Sequence, residues 1–282
     1  MRKLKENPKT TPLILKLSLL FTFISFGYVV SILVSERKID KKDKPEISPT
    51  VTVTPGTMSG RQKELNYFYA VKNVNDGNFD AAVTQLGEVI KTDPGQVTAL
   101  YLLGYSYRKL KQPDLALENY KAFLEKADKT NNYRLSAMIE LGYLYLKKNR
   151  ETSAENIIQN AEKEATESKS DKLPTIKAEA NFIFNETGHK LMDEKKFSEA
   201  KWRLEKAVQE SNGSYTWANI NLTRLNVRTA EEKFSNSDFD SARTDLKTAR
   251  SMLENAPTDW KSKVDYLIDR VNYLEEKLKS KK

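Results

Sequence analysis

The sequence contains no cysteine and only one histidine, His189, among its 282 residues. Without cysteine the chain can form no disulfide, no thiolate zinc site and no lipoprotein-type thiol anchor, and it has no thiol nucleophile. His189 has no cysteine or second histidine with which to build a Cys–His pair or a histidine-pair metal site, so we place it on a helix surface or in a groove. The ten glycines are scattered, and none stands in a GxxxxGK[ST] or GxGxxG phosphate loop. We therefore predict that the chain is not an enzyme and has no catalytic residue, metal or cofactor.

The net charge of +8 is concentrated near the N-terminus. Residues 1–60 contain 10 basic and 5 acidic residues, which leaves the rest of the chain almost neutral. A neutral body offers no basic stripe long enough to follow a phosphate backbone. We predict that nucleic acid is not a partner.

A single long apolar run breaks the otherwise polar sequence. Residues 17–34 carry no charge, and as a helix they would extend about 27 Å, close to the thickness of a bilayer core. Because Lys16 can snorkel to the headgroups, we predict a transmembrane anchor at 12–35 after a basic tail at 1–11. The alternative is a cleaved signal peptide, which usually has a shorter apolar core and an Ala-x-Ala-like site.

The two flanks of this run carry nearly equal numbers of basic residues, so orientation rests on a weaker argument. A short N-terminal tail followed by a long translocated domain is the default arrangement. We therefore predict a single-pass membrane protein whose body faces the extracytoplasmic, periplasmic side. Residues 36–60 are first charged and then rich in Pro and Thr, which predicts a flexible linker.

From residue 61 onward the sequence is helical in pattern and repetitive. Small residues recur in pairs twelve positions apart, namely Ala70 and Ala82, Gly104 and Ala116, Gly142 and Ala154, Gly188 and Ala200, and Ala230 and Ala242. Four residues after each pair stands a large apolar residue, in turn Leu86, Tyr120, Ile158, Leu204 and Leu246. Another apolar residue follows three positions later, in turn Val89, Phe123, Ala161, Ala207 and Ala249. This pattern predicts helical hairpins whose two helices cross at the small residues.

These units resemble the tetratricopeptide repeat (TPR) family. The residues that carry the resemblance most strongly are Leu103, Gly104, Tyr107, Ala116 and Tyr120, and then Leu141, Gly142, Tyr145 and Ala154. The resemblance implies an all-α, right-handed solenoid of about five hairpins over 61–257. Because the spacing between units grows from 34 to 38, 46 and 42, we expect longer helices or loops in the later hairpins.

In this family the first helix of each hairpin lines a concave groove that binds a protein or peptide partner. Projection from the small residues gives an inner stripe of candidate binding residues: Tyr67, Val71, Tyr101, Tyr105, Arg108, Ile139, Tyr143, Phe182, Asn185 and His189. Tyr and Arg are good binding anchors because they offer a large area with a polar tip. The alternative is that several of these residues pack between adjacent hairpins.

The last segment, 258–282, contains an apolar seam at Trp260, Val264, Leu267, Val271, Leu274 and Leu278. We predict a capping helix that covers the last hairpin. The alternative is a coiled coil that forms a homodimer through 260–278. The resulting functional prediction is a membrane-anchored scaffold or adaptor that binds a partner in its groove and supports assembly or secretion of envelope proteins, with a self-associating structural protein as the rival.

Overall fold

The computed structural model describes residues 58–211, 213–257 and 260–281, which contain helices and no β-strand. The described helices are α1 (Met58–Asp76), α2 (Phe79–Thr92), α3 (Thr98–Lys109), α4 (Pro113–Lys126), α5 (Arg134–Lys147), α6 (Glu151–Glu167), α7 (Leu173–Asp193), α8 (Phe197–Glu210), α9 (Thr216–Ser235), α10 (Phe239–Glu254) and α11 (Lys261–Lys279). Consecutive helices pair into five hairpins, from α1–α2 to α9–α10, and α11 packs on α9 and α10. The predicted all-α, TPR-like solenoid is therefore confirmed.

The predicted membrane location is wrong. Within the ranges that the structure describes, no helix combines the length and the apolar character that a bilayer span requires. The predicted tail at 1–11, the anchor at 12–35 and residues 36–57 of the linker lie outside the described residues.

The small residues lie at the helix crossings, as predicted. At Gly188 an added Cβ would lie 3.3 Å from the carbonyl oxygen of Ala200 and 2.8 Å from Cγ of Leu204, so only glycine fits this approach. At Gly104 an added Cβ would lie 2.8 to 2.9 Å from three ring atoms of Tyr120. The large and small apolar residues that follow each crossing, from Leu86 and Val89 to Leu246 and Ala249, are all at least 98% buried.

One turn geometry joins the two helices of every hairpin. A residue with positive φ ends the first helix in each turn: Gly77 (81°), Lys111 (59°), Asn149 (53°), Lys195 (60°) and Ser237 (64°). The amide of the following residue donates to a carbonyl five positions back, for example from Gln112 to Tyr107 at 2.9 Å. This Schellman-type bond satisfies a carbonyl that the helix end would otherwise leave unpaired.

The wider spacing predicts longer helices or loops in the later hairpins, and the first, inner helices of the fourth and fifth hairpins are longer than those of the second and third. α7 has 21 residues and α9 has 20, whereas α3 has 12 and α5 has 14. Inner helices of successive hairpins also contact one another: α1 contacts α3, α5 contacts α7, and α7 contacts α9. The ion pair between Arg108 and Glu140 joins α3 to α5, so the inner helices form one continuous layer.

The seam of α11 is buried inside the chain. Trp260 and the five apolar residues that follow it in the seam are at most 8% exposed, and they form one cluster with Leu246 and Val227. Because these side chains already pack on α9 and α10, a homodimer through 260–278 is not supported. The helix takes the position expected of a cap.

Candidate protein-interaction surface

Eight of the ten predicted binding residues follow one rule relative to the small residues on the inner helices. The helix period places side chains three residues before and one residue after each small residue on one face, because these two positions are four apart. In the second hairpin they are Tyr101 and Tyr105, on either side of Gly104. In the fourth hairpin they are Asn185 and His189, on either side of Gly188.

The structure divides the predicted residues into two groups by exposure. Val71, Tyr101, Tyr105 and Asn185 are buried in the packing of the hairpins. The partly exposed residues are Tyr67, Arg108, Ile139, Tyr143, Phe182 and His189, and we call these six the inner surface. The buried group lies in the layer that supports the inner surface, and whether either group contacts a partner stays a prediction.

An aromatic cluster supports the N-terminal part of the inner surface. The rings of Tyr101 and Tyr133 stack with centroids 4.7 Å apart, and Tyr101 also contacts Tyr120 and Phe123 at 5.7 and 5.6 Å. Tyr133 directly precedes α5, so this stacking joins the second hairpin to the third. Burial, and the nearby Tyr133 hydroxyl, raise the pKa of Tyr67 to about 12, which keeps its phenol protonated at neutral pH.

An ion pair crosses from the second hairpin to the third beside this cluster. Nε of Arg108 lies 2.9 Å from Oε2 of Glu140, and the guanidinium also lies over the ring of Tyr105 at 5.4 Å from its centroid. Burial raises the pKa of Glu140, against the opposing effects of Arg108 and Lys109. The pair therefore holds a charged, partly buried Arg in a fixed position on the inner surface.

The third and fourth hairpins are joined in a similar way. The hydroxyl of Tyr143 donates a hydrogen bond to the carboxylate of Glu179 on α7, and its ring lies 5.6 Å from that of Phe182. Each of these contacts spans successive hairpins. A side chain fixed in this way loses little rotamer freedom when a ligand arrives.

Amides replace aromatic rings in the C-terminal part of the layer. Nδ2 of Asn221 donates to Oδ1 of Asn185 at 2.9 Å, and Nη1 of Arg224 donates to Oδ1 of Asn221 at 3.0 Å. Nε of Arg224 also donates to the hydroxyl of Tyr266 on α11 at 2.8 Å. The chain of bonds thus runs from α7 through α9 to the last helix.

His189 lies beside this row of hydrogen-bonded side-chain amides. Its Nδ1 is 3.8 Å from a carboxylate oxygen of Asp193, a residue that also accepts a hydrogen bond from Arg228 at 2.8 Å. Burial lowers the pKa of His189, and Arg224 and Arg228 lower it further, while Asp193 acts in the opposite sense. The imidazole is therefore neutral at pH 7.

Comparison with known families identifies the repeats. Residues 74–132, from the end of α1 through α4, match the family model described as tetratricopeptide repeat. Residues 74–132 therefore carry tetratricopeptide repeats. These repeats generally form non-enzymatic scaffolds suited to protein–protein interaction.

A curated relative and two solved structures are also similar. The chain is 26% identical over 157 residues to anaphase-promoting complex subunit CDC16 of Saccharomyces cerevisiae, a match that covers 54% of this chain and 18% of that protein. The chain thus spans less than a fifth of the length of this relative.

The crystal structure of MamA aligns with a TM-score of 0.46 and 20% identity, covering 72% of this chain and 96% of MamA. That of PilW, a widely conserved type IV pilus biogenesis factor, aligns with a TM-score of 0.42 and 16% identity, covering 78% and 94%. Both scores are below 0.5, so the fold assignment rests on the family match and the observed packing.

Several residues of the TPR inner layer were not predicted from the sequence. Tyr133, Glu140 and Glu179 complete the contacts of the predicted Tyr101, Arg108 and Tyr143. A usable signal was the position of Glu140, an acidic residue between apolar neighbours on an inner helix. In the part of the chain that the structure describes, no group of three or more His, Cys, Asp or Glu side chains could hold a metal ion.

Proposed function

We propose that the inner surface of these repeats binds a segment of a partner protein, and that the chain acts as a scaffold or adaptor. The observation that carries this proposal is the row of partly exposed side chains from Tyr67 to His189, which lies on one layer of contacting inner helices. Tetratricopeptide repeats bind protein or peptide partners, which supports the assignment of this chain as a protein-binding scaffold.

The chemistry of the inner surface favours a peptide with apolar side chains. Ile139, Tyr143 and Phe182 offer apolar area on neighbouring hairpins, with Tyr143 and Phe182 in contact at 5.6 Å. Arg108 lies beside this area in a position fixed by Glu140, which neutralises its charge. Tyr and Arg held in place before binding are the residue types that dominate interface energies.

The test uses a peptide selected from a random display library on the full-length chain. Tyr143→Ala should raise the Kd of that peptide about tenfold or more, as expected for an aromatic anchor. The matched control is Tyr145→Ala on the same helix, because Tyr145 lines a different groove with Lys121 and Ile157. Equal affinities of the wild type and the Tyr143 variant, both folded by circular dichroism, would contradict the proposal.

This proposal does not include two more specific predictions made from the sequence. A role in assembly or secretion of envelope proteins stays a prediction, because the similarity to PilW has a TM-score of only 0.42. Self-association through 260–278 has lost its basis, since the seam is buried against α9 and α10.

A further inference from the structure

A second groove lies between α10 and α11, away from the inner surface. Its volume is about 500 Å³, and Leu246 of α10 and Leu278 of α11 form its apolar floor. These two side chains are only 1% and 4% exposed, so they are held rigidly by the core of the last hairpin. We call this feature the α10–α11 groove.

The walls of the α10–α11 groove carry an excess of positive charge. Glu275 is the single acidic residue among the described residues that line it. The basic residues that line it are Arg243, Lys247, Arg250, Lys279 and Lys281. The rest of the body is nearly neutral, so this concentration is a local feature.

Three of these cations have partners in the chain. Arg250 pairs with Glu275 at 2.6 Å, and Lys279 pairs with Glu276 at 2.5 Å. Arg243 pairs with Asp240 at 2.7 Å and donates to the carbonyl of Leu278 at 3.2 Å. These bonds fix the geometry of the walls and neutralise part of the charge.

The other two cations keep their charge for a ligand. Lys247 is exposed and forms no ion pair with any residue in the described ranges. The ammonium of Lys281 lies 6.0 Å from the ring centroid of Phe239, and it has no carboxylate partner among the described residues. The groove therefore combines an apolar floor with two available ammonium groups.

We propose that the α10–α11 groove binds an acidic peptide segment of a partner protein. Carboxylates of that segment pair with Lys247 and Lys281, and the segment lies over the floor formed by Leu246 and Leu278. Charge complementarity steers such a segment to the site and sets its orientation.

Other occupants fit these observations less well. Residues 1–57 of this chain carry ten basic and five acidic residues, so this segment would be repelled. Single-stranded nucleic acid is held chiefly by stacking on aromatic rings, and the described lining of the groove contains none. An anionic membrane surface would contact the exposed lysines and leave the recessed floor unused.

The test measures the anisotropy of a fluorescein-labelled synthetic peptide of Asp and Glu with a central Leu, mixed with the full-length chain. Lys247→Glu combined with Lys281→Glu should raise the Kd roughly tenfold, since each reversal removes one ion pair and adds a repulsion. Lys63→Glu on α1 is the matched control, because Lys63 is exposed and forms no ion pair among the described residues. Its Kd should equal that of the wild type.

Three results would overturn the proposal. The first is an unchanged Kd in the double variant, and the second is equal binding of a peptide with Asn and Gln in place of Asp and Glu. The third is tighter binding, through the same two lysines, of a single-stranded oligonucleotide or of vesicles that contain anionic lipid. Binding of the acidic peptide that falls in the double variant and survives in the Lys63→Glu control supports it, whatever the fate of the inner surface.

Discussion

The first three hairpins and the last two solve the same packing problem with different inner residues. In the former, Tyr101, Tyr133 and Tyr143 join successive hairpins through rings and hydroxyls. In the latter, Asn185 and Asn221 join them through buried amides. The crossings beneath are alike in both regions, with small residues that are all buried. The comparison teaches that the repeat pattern specifies the solenoid, while residues of different types can make the contacts between successive hairpins.

The largest expected effect tests a helix crossing in the first three hairpins, which we call the aromatic region. Gly104→Ala should lower the free energy of unfolding by about 1 to 3 kcal/mol, because the added Cβ would lie within 2.9 Å of the ring of Tyr120, which is fully buried. Gly142→Ala should cost less, since its Cβ would meet Cδ1 of Ile183, the movable end of a side chain, at 2.9 Å. Urea titration followed by circular dichroism measures both.

The control for this prediction is a glycine in an open position. Gly87 in α2 has no atom within 4 Å of an added Cβ. Gly87→Ala should therefore stabilise the chain by about 0.5 to 1 kcal/mol, the gain expected from replacing glycine within a helix. A loss of stability at Gly87 equal to that at Gly104 would show that the close approach is not the cause.

The next effect concerns the last two hairpins, which we call the amide region. Asn221→Leu should lower the free energy of unfolding by about 1 to 3 kcal/mol, because it leaves Oδ1 of Asn185 and Nη1 of Arg224 without their partner. Replacing Asn185 by Leu as well should cost less than the sum of the single changes, since it removes one of the stranded groups. Denaturant titration of the singles and the double gives the coupling.

A matched substitution on the same helix sharpens this result. Asn226 is also buried, but its Nδ2 donates to the sulfur of Met252 at 3.6 Å, a weak acceptor. Asn226→Leu should therefore cost clearly less than Asn221→Leu. Equal losses would mean that the hydrogen bonds of Asn221 add nothing to stability beyond the packing of a buried side chain.

The scaffold was predictable from the sequence because it depends on the geometry of single helices. The twelve-residue spacing of Ala and Gly predicted every hairpin crossing, and the 4 and 3 spacing of Trp260 to Leu278 predicted the buried face of α11. The longer later units predicted longer helices or loops, and the structure has longer helices in α7 and α9.

The contacts of the inner surface were less predictable because they depend on how successive hairpins rotate. Arg108 and Glu140 are 32 positions apart, and Tyr143 and Glu179 are 36 apart. Helical period gives the face on which a residue lies, but not which residue of the next hairpin it meets. The same limit explains why Tyr101 and Asn185 were grouped with exposed residues although both are buried.

A smaller effect distinguishes the turn of the first hairpin from the other turns. Lys111 and Lys195 adopt φ of 59° and 60°, where a Cβ is strained, whereas the first hairpin has Gly77. Lys111→Gly or Lys195→Gly should raise the free energy of unfolding by about 0.5 to 1 kcal/mol, because glycine adopts this conformation without steric cost. Gly77→Ala should lower it by a similar amount. Thermal unfolding measures these shifts, and destabilisation by both glycine substitutions would contradict the argument.

The smallest effect is a pH dependence of stability that has opposite signs in the two regions. In the aromatic region it comes from Glu140. Its pKa is raised above 4.5 by burial, so its contribution to stability is fully present below pH 4.5 and is lost as pH rises through the folded pKa. The stability of the wild type relative to Glu140→Gln should therefore grow as pH falls from about 7 to about 4.5. Urea titrations at several pH values test this trend.

His189 supplies the opposite trend in the amide region. Its pKa is lowered below 6.5 chiefly by burial, so its contribution to stability is present above pH 6.5 and is lost as pH falls through the folded pKa. The stability of the wild type relative to His189→Gln should therefore shrink as pH falls from about 7.5 to about 5. Because His189 is the only histidine in the sequence, its imidazole signals can be followed by NMR without assignment of any other. A midpoint at or above 6.5 in the folded chain would remove the difference between the two regions, because burial would then no longer act on the amide side.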